Sequence, residues 1–424
     1  MSIKKLFAAA AALAIAGTLS ISPARAVSVQ TSVIAGTADS VCAIVANGTI
    51  ECWGSNSYGQ IGGGSNNSEP VPVNYIAGTW GYLLNGGSGR HMCAIKSDGT
   101  LWCWGWNQNG QLGNSSTTNA LTPVQVGADT TWVAGSVGRN STCAIKSDGT
   151  LWCWGDNVYG QLGNGSTDAS LVPVQSSLTG VATVSVAAEH ACAVKTDNTI
   201  WCWGKGTAGE LGDGNGTSST SPVQVAGSWK SVTAGQTNPG NVEGHTCALK
   251  SDSTLWCWGD WDFRGPVSGD SAPVQIPGGG LWTSVTTGPW NTCAIKSADA
   301  SLWCWGDSYQ GHLGNGTTSP DQATPQAVTG GHAWLTSVQT HDSACGILTD
   351  LSIWCWGAQN SGVIGVADAP GANPDPLPLN RIAGGGLPST DRDGGTLNGG
   401  LLLLAGVLAA AGVGLRLRKG SLAK

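Results

Sequence analysis

Seven pairs of cysteines, repeated along the chain at an almost constant interval, constrain this sequence more than any other feature. Six pairs have members ten residues apart and one has members eleven apart, and the first members of successive pairs are separated by 46 to 55 residues. A period near fifty residues indicates a repeat architecture with one supersecondary unit per repeat. The pairs are Cys42 and Cys52, Cys93 and Cys103, Cys143 and Cys153, Cys192 and Cys202, Cys247 and Cys257, Cys293 and Cys304, and Cys345 and Cys355.

Each pair brackets a strand, a turn and a second strand. The clearest copy runs from Cys93 to Gly105, reads CAIKSDGTLWCWG, and recurs almost unchanged over 143–155. Asp98-Gly99 is a strong turn signal, because glycine accepts a positive φ. A three-residue loop over 97–99 places Cys93 opposite Cys103, where modest adjustment reaches disulfide distance. The even count, the constant spacing and the export signal described below therefore predict seven disulfides, each within one hairpin.

Metal binding is the alternative role for these cysteines. His91, His190 and His245 each stand two residues before a cysteine, whereas the other four repeats have serine or asparagine at that position. Ligand sets normally need four convergent groups, which this pattern does not supply in every repeat. We expect no metal ion and no cofactor.

Two further strands flank each hairpin and complete the unit. A short strand ending at glycine lies upstream, as in 229–235 and 282–288, and a proline-bounded strand follows a turn downstream, as at 173–175. Four short strands form one propeller blade, and seven blades close a ring without long exposed edges. The predicted fold class is all-β, a seven-bladed β-propeller over 27–383. Residues 27–33 and 377–382 are candidate strands of one shared blade that closes the ring.

Two segments of the repeat carry a family resemblance. One is HTCAL over 245–249, and the other is WGDN over 154–157 followed by GQLG over 160–163. Together with the Asp-Gly turn, they resemble the repeat of the regulator of chromosome condensation, and the resemblance covers about residues 30–383. It implies a seven-bladed β-propeller.

The resemblance also bears on the function of this chain. The family's best-known member exchanges guanine nucleotide on a small nuclear GTPase, but this chain has an export signal and no segment that resembles the exchange wedge. We therefore expect no exchange activity. Other exported propellers of this group bind proteins, one of them by laying a propeller face over a secreted β-lactamase. By analogy, the expected role is binding at the cell surface.

The beginning of the chain is typical of a secretory signal peptide over 1–26. Lys4 and Lys5 precede an apolar, alanine-rich run, and Ala24 and Ala26 supply the small residues that a signal peptidase reads. The mature protein is expected to begin at Val27, and disulfides form and persist in the oxidising compartments that exported proteins reach.

The other end resembles the sorting signal of Gram-positive wall-anchored proteins. A linker over 384–396 contains Leu387, Pro388, Thr390 and Asp391, and an apolar stretch over 397–415 and a basic tail over 416–424 follow. The resemblance implies cleavage after Thr390 and attachment to the cell envelope, although Asp391 replaces the usual glycine. A single-pass membrane anchor is the alternative, because about nineteen apolar residues can span a bilayer. Both interpretations put residues 27–390 outside the membrane.

The charge of the exported part excludes one class of partner. Residues 27–390 contain 11 basic and 24 acidic residues, a net charge of −13, and no cluster of lysine or arginine. Binding to a phosphate backbone needs such a cluster, so we expect no nucleic-acid partner. The expected state is a monomer whose partner is an extracellular protein or glycan.

Positions at which the repeats differ are the best candidates for binding. Aromatic residues occur in the connection after Trp-Gly, where they are predicted to ring one face and suit protein hot spots or sugar stacking. Packing against the neighbouring blade is the alternative. The candidates are Tyr58, Trp106, Tyr159, Trp261, Phe263 and Tyr309, with Trp290 and the loop over 236–244 on a second edge.

The sequence predicts no catalytic residue. Aspartates at 98, 148 and 252 lie in turns and those at 156, 260 and 307 follow Trp-Gly, so repetition favours structural roles. A convergent, non-repeated carboxylate pair with raised pKa at the propeller mouth would favour an exported carbohydrate-active enzyme instead. A buried aromatic ring would favour a purely structural envelope component. The repeated lysines at 96, 146, 195, 250 and 296 are interpreted as solvated neighbours of the turns.

Overall fold

The computed structural model describes residues 34–45, 47–86, 89–235, 244–260, 269–278, 280–359, 362, 364–365 and 372–379. These residues form seven antiparallel sheets, each made of four strands that are consecutive in the chain. The predicted seven-bladed β-propeller is therefore confirmed. Within each blade the strands are called A, B, C and D in chain order, and the A strands of neighbouring blades contact each other around the centre of the ring.

The strands of the first four blades are β1 (Ile34–Gly36), β2 (Ser40–Ile44), β3 (Ile50–Gly54) and β4 (Glu69–Ile76); β5 (Trp80–Leu84), β6 (His91–Lys96), β7 (Leu101–Gly105) and β8 (Ala120–Gln125); β9 (Trp132–Val137), β10 (Ser141–Lys146), β11 (Thr150–Gly155) and β12 (Ser170–Thr179); and β13 (Val181–Val186), β14 (His190–Lys195), β15 (Ile200–Gly204) and β16 (Ser219–Val225).

The strands of the last three blades are β17 (Trp229–Ala234), β18 (His245–Lys250), β19 (Leu255–Gly259) and β20 (Asp270–Gln275); β21 (Trp282–Thr287), β22 (Asn291–Lys296), β23 (Leu302–Gly306) and β24 (Gln322–Ala327); and β25 (Trp334–Gln339), β26 (Ser343–Leu348), β27 (Ile353–Ala358) and β28 (Ala372–Pro378). A short 3₁₀ helix covers Tyr309–Gly311 between β23 and β24.

The disulfides join strands B and C of every blade, as predicted. Cys93 pairs directly with Cys103 in the ladder between β6 and β7, and the corresponding pairs in the other blades have the same register. All seven bonds are formed, and the paired Cα atoms are 4.0–4.1 Å apart. Seven disulfides in one domain are suited to an oxidising compartment.

The core is divided among the seven interfaces between blades. Each interface buries a cluster of aliphatic and cysteine side chains around a tryptophan that follows the second cysteine of the repeat. In blade 2, Trp104 is fully buried, and its indole Nε1 donates a hydrogen bond of 2.9 Å to the carbonyl oxygen of Gln60 in blade 1. Indoles at 154, 203, 258 and 356 make the same bond to the preceding blade. This tryptophan therefore ties the loop after strand C to the next blade.

The ring closes by packing between the last blade and the first. Ile34, Val41 and Trp53 of blade 1 pack against Val338 and Ile347 of blade 7. Strand β28 pairs with β27 and strand β1 pairs with β2, so the described strands of the two ends complete separate blades. Residues 27–33 and 380–382 lie outside the described residues, so the suggested shared closing blade stays a prediction.

The turns between strands B and C explain the repeated aspartates and lysines. Asp98 Oδ1 accepts hydrogen bonds from the backbone nitrogen and the hydroxyl of Thr100, and these bonds hold the pKa of Asp98 below its usual value. The interpretation of Lys96 as a solvated neighbour is wrong, because its Nζ lies 5.1 Å from the ring centroid of Trp80 and 4.0 Å from that of Trp102. Cation–π contact explains why the lysine recurs. Lysines at 146, 195, 250 and 296 make similar contacts.

Among the residues described above, no helix is long and apolar enough to cross a membrane. The predicted signal peptide, the sorting residues Leu387, Pro388, Thr390 and Asp391, and the apolar stretch over 397–415 lie outside the described residues.

Candidate functional site

The loops between strands A and B and those between strands C and D lie together on one face, which we call the rim face. In blades 1 to 6 the backbone nitrogen of the first residue after strand C donates to the carbonyl oxygen of the last residue before strand B, at 2.7–3.1 Å, and in blade 7 the nitrogen of Ala358, the last residue of strand C, makes the equivalent bond. The turns between strands B and C lie at the opposite ends of the strands, on the turn face. There, the carbonyl oxygen of Gly99 accepts a bond of 3.2 Å from Trp132 at the start of the next blade.

The hydrogen bonds of the rim face hold two positions per blade whose side chains differ from blade to blade. Six of these fourteen side chains are acidic and two are basic. The fold therefore presents variable side chains on a constant backbone frame, which is the arrangement expected of a surface adapted to a ligand. The inner positions are Asp39, Arg90, Asn140, Glu189, Gly244, Trp290 and Asp342, and the outer positions are Ser55, Trp106, Asp156, Lys205, Asp260, Asp307 and Ala358.

The loop after strand C is held by its own side chains before any ligand is bound. Asn107 Oδ1 accepts a hydrogen bond of 2.9 Å from Leu112 N, and its Nδ2 donates to the carbonyl oxygens of Ser116 and Thr118. Gln111 Oε1 accepts a further bond of 2.9 Å from the backbone nitrogen of Asn109. These bonds use buried amides. They fix the loop that carries Trp106, so little conformational entropy remains to be lost on binding.

Tyr58 and Trp106, two of the predicted binding residues, meet across the boundary between blades 1 and 2. Their ring centroids are 5.9 Å apart with the planes tilted by 44°, and both side chains are half-buried. The guanidinium carbon of Arg90 lies 5.3 Å from the Tyr58 ring centroid. The two predictions for these residues, an exposed ring and packing against a neighbour, each describe part of what is seen. The three side chains form one patch of the rim face.

The other described aromatic candidates also lie on the rim face, but apart from that patch. Half-buried Tyr159 has Lys205 Nζ 5.9 Å from its ring centroid, and half-buried Trp290 makes an edge contact with His341 at 6.0 Å. Tyr309 has 63% of its surface exposed. The remaining candidates, Trp261 and Phe263, and the loop residues 236–243 lie outside the described residues.

The histidines that precede the cysteines form bonds between blades. The Nε2 atoms of His91, His190 and His245 lie 2.8–3.1 Å from the hydroxyls of Thr142, Thr246 and Thr292 in the next blade. All three imidazoles are buried, and this burial lowers the pKa of each to about 3. The histidines are therefore neutral and serve the packing between blades.

A sequence pattern marks this pairing, but it becomes visible only when each repeat is compared with the next one. A histidine two residues before the cysteine is followed, in the next repeat, by a threonine directly before its cysteine. In the four repeats without the histidine, the next repeat has a methionine, alanine or valine there instead, at Met92, Ala191, Ala344 and Val41.

One carboxyl, that of Asp307, meets the criterion set for an enzyme in having a raised pKa. Burial and the neighbouring carboxylate of Asp321 raise the pKa of Asp307 to about 6. However, the two carboxyls are hydrogen-bonded to each other, and they accept bonds from the backbone nitrogens of Tyr309 at 2.6 Å and Ser308 at 3.1 Å. Glycosidase carboxyls are about 5 Å or more apart. The geometry of Asp307 and Asp321 is therefore that of a loop anchor.

A separate cluster lies where blade 7 meets blade 1. Among the described residues, Asp39, His341 and Asp342 form the one group of three side chains whose ligand atoms lie within 4.8 Å of one another and could hold a metal ion. Burial raises the pKa of Asp39, although His341 and Arg90 oppose this effect. The sequence did not indicate this group, because about 300 residues separate its members.

Comparison with known families identifies the repeat. The model of the regulator of chromosome condensation (RCC1) repeat matches residues 98–145, 148–194 and 197–238, and a second RCC1 repeat model matches 132–161 and 181–210. Residues 98–238 of the seven-bladed propeller therefore consist of RCC1 repeats. The matched segments begin near the turn between strands B and C, so the family's repeat is offset from the blade.

Curated relatives share only a small part of their length with this chain. The ultraviolet-B receptor UVR8 of Arabidopsis thaliana is 35% identical over 81 residues, which is 19% of this chain and 18% of the receptor. The X-linked retinitis pigmentosa GTPase regulator homolog of Caenorhabditis elegans is 32% identical over 96 residues, 22% of this chain and 7% of that protein. The chain therefore spans less than a fifth of the length of each.

Solved structures support the fold. Human WBSCR16 superposes with a TM-score of 0.68 at 17% identity, covering 78% of this chain and 94% of that one. Yeast RCC1 (Prp20), in its crystal structure with Kap60, gives a TM-score of 0.66 at 16% identity, covering 78% of this chain and 84% of that one. At this identity the likeness establishes the propeller fold alone.

Proposed function

We propose that this RCC1-repeat propeller is an exported recognition module that binds a protein at the cell surface through its rim face. The observation that carries this proposal is the patch of Tyr58, Trp106 and Arg90 on a rigid frame. Tyrosine, tryptophan and arginine are the residue types that dominate binding energy in protein interfaces. The module acts by binding and has no guanine-nucleotide-exchange activity.

The variation of the rim face supports the same conclusion. Side chains on the turn face recur in most blades because they stabilise the repeat, whereas the rim positions change from blade to blade. Yeast RCC1, a protein with the same fold, has been crystallised with the protein Kap60 bound to it. The excess of acidic side chains at the rim favours a partner with a basic surface, because complementary charge speeds association.

A surface glycan is the second candidate ligand, since half-exposed indole and phenol rings also stack on sugars. Carbohydrate turnover is the main alternative to binding, and the raised pKa of Asp307 favours it. The hydrogen bond between Asp307 and Asp321 argues against turnover, because the two carboxyls of a glycosidase are about 5 Å or more apart. A purely structural envelope role is the remaining alternative, and the partial exposure of Tyr58 and Trp106 argues against it.

Attachment to the cell envelope is part of the proposal. The signal peptide over 1–26 and the sorting motif at 387–391 support export and linkage after Thr390, with a single-pass span over 397–415 as the alternative. A digest of the cell wall tests the choice. Covalent linkage predicts a peptide that ends at Thr390, and recovery of an intact 397–424 segment from the membrane would contradict it.

The experiment for the binding function is affinity capture with the full oxidised chain, offered both secreted proteins and surface glycans. We expect a saturable protein ligand whose binding is weakened at least tenfold by Tyr58→Ala or Trp106→Ala. The matched control is Trp102→Ala, because Trp102 is a half-buried tryptophan of the same blade that contributes to a groove near the turn face. A ligand that tolerates both rim changes, or is lost only with Trp102, would refute the proposal.

A further inference from the structure

We propose that Asp39, His341 and Asp342 form a binding site for a divalent transition-metal ion that links the first and last blades. Two carboxylates and one imidazole are ligands that Zn²⁺ and Mn²⁺ accept, with water completing the coordination at a partly exposed site. The three ligand atoms already lie within 4.8 Å of one another. This site adjoins the patch of Tyr58, Trp106 and Arg90 through the ion pair between Arg90 and Asp39, but its existence does not depend on the proposed recognition function.

The backbone holds these residues in place from both sides of the blade boundary. The backbone nitrogen of His341 donates a hydrogen bond of 2.7 Å to the carbonyl oxygen of Ala38, directly across the boundary. The carbonyl oxygens of Asp39 and Asp342 accept bonds of 2.7 and 2.8 Å from Ser55 and Ala358 of their own blades. Ligands on fixed backbone need only side-chain rotation to close on an ion, which favours binding.

The imidazole is also oriented for ligation. Nδ1 of His341 lies 2.7 Å from Oδ1 of Asp342, and the ring edge contacts Trp290 at a centroid distance of 6.0 Å. Zn²⁺ bonds of about 2.0–2.2 Å to both atoms require Nδ1 and Oδ1 to move apart to about 3 Å or more, which side-chain rotation allows, and the ion then replaces the proton between them. Because ligands must be deprotonated, this binding releases a proton to solvent.

The negative charge of the carboxylates around Asp39, His341 and Asp342 favours binding of a cation. Asp307 of blade 6 interacts electrostatically with Asp321 and with Asp342, and Asp342 interacts with Asp39, so these four carboxyls form one electrostatic group at the boundary. Arg90 is the one permanent cation of the described residues within ion-pairing distance of Asp39, with its Nε 3.9 Å from Oδ2. Carboxylates that are partly removed from water need compensating charge, which a divalent ion supplies.

A second observation points to the same place. His312 is 2% exposed, and its Nε2 atom has no hydrogen-bond partner among the described residues. Its imidazole interacts electrostatically with Asp342 and His341, so it lies beside the proposed ligands. Buried polar atoms normally have partners, and water held at the proposed ion would satisfy this unpartnered nitrogen.

The site has a structural consequence for the ring. The described strands of blades 1 and 7 complete separate sheets, and their boundary is held by side-chain packing and by the bond between His341 and Ala38. An ion with ligands from both blades would add a link at this boundary. Since the ion binds the folded ring, it raises the melting temperature as its concentration rises above the dissociation constant.

The test uses the full oxidised chain without an affinity tag, stripped with a chelator and titrated calorimetrically with Zn²⁺, Mn²⁺ or Mg²⁺. We expect one Zn²⁺ per chain, weaker Mn²⁺ binding, and no Mg²⁺ binding, because the imidazole selects transition metals. Asp39→Asn, His341→Gln and Asp342→Asn should each lower the Zn²⁺ affinity at least tenfold. Matched controls on the turn face, Asp129→Asn and His332→Gln, should leave it unchanged.

Two results would overturn the proposal. One is the absence of stoichiometric Zn²⁺ binding and of any Zn²⁺-dependent rise in melting temperature. The other is a Zn²⁺ affinity that His341→Gln leaves intact or that the control changes lower equally. If a variant fails to fold, the visible absorption of Co²⁺ on the unsubstituted chain decides the question. A spectrum of imidazole and carboxylate ligation supports the site, and a spectrum of the hydrated ion contradicts it.

Discussion

The buried histidines between blades predict how stability depends on pH. His91, His190 and His245 are held neutral with a pKa of about 3, against about 6.5 in an unfolded chain. Because the folded-state pKa is depressed, the unfolded state binds more protons between these two values. Stability is therefore complete above about pH 6.5 and is lost progressively as the pH falls towards 3.

The size of the effect follows from the same values. At about pH 5, each histidine contributes a loss of about 2 kcal/mol relative to about pH 8, or about 6 kcal/mol for the three. An unfolding entropy of about 0.7 kcal/mol/K for a ring of this size converts this loss into a fall in Tm of about 8 °C. Raised pKa values at Asp39, Glu210 and Asp307 oppose part of the fall, because those carboxyls take up protons in the folded state.

A matched variant isolates the histidine contribution. Asn291 and Ala344 occupy, in blades 6 and 7, the positions that His91 and Thr142 occupy in blades 2 and 3. The double variant His91→Asn, Thr142→Ala therefore introduces a pair that the fold already uses. It lacks one titrating histidine, so its fall in Tm between about pH 8 and about pH 5 should be smaller by about 3 °C.

Differential scanning calorimetry without reductant measures both proteins at both pH values. The opposing carboxyls are present in each protein, so their effects cancel in the comparison. An equal pH-dependent fall in parent and variant would refute the assignment of buried, neutral histidines, and so would a variant whose fall is larger.

Three further predictions concern the frame that carries the rim face. Replacing Cys293 and Cys304 by serine should lower the free energy of unfolding by about 2–3 kcal/mol by urea titration, because the bond closes a short loop, and an unchanged midpoint would contradict this. Gly105→Ala should destabilise by several times the roughly 1 kcal/mol expected for Gly127→Ala. Both glycines have positive φ, but a Cβ at Gly105 would lie 2.6 Å from the carbonyl oxygen of Arg90, whereas nothing lies within 4 Å at Gly127. Lys96→Met should lower the free energy of unfolding by about 0.5–1 kcal/mol, against no change for exposed Lys230→Met, because Lys96 lies over two indoles and Lys230 does not.

The blades and disulfides could be predicted because they depend on contacts within one repeat. Cys93 and Cys103 are joined by a turn whose residues recur, and seven copies of that pattern leave little choice of architecture. Contacts between neighbouring blades could be predicted in part from the sequence, since the histidine and the threonine of each bond between blades occur in successive repeats.

The site at the ring boundary could not be predicted from the sequence. Asp39 and His341 become neighbours only when the seventh blade reaches the first, and nothing in either repeat marks its partner. The side chain of Lys96 was misread for a related reason. Its contact with Trp80 depends on how strand A packs beside the turn, which hydrophobic patterning does not reveal.

The most direct test of recognition through the rim face is a hydroxyl-radical footprint of the full oxidised chain, alone and with its captured partner. If the rim face binds the partner, oxidation of Tyr58 and Trp106 falls on binding, while that of Trp102 and Trp152, half-buried tryptophans of strand C, stays the same. Protection confined to Trp102 and Trp152, with Tyr58 and Trp106 unchanged, would contradict it.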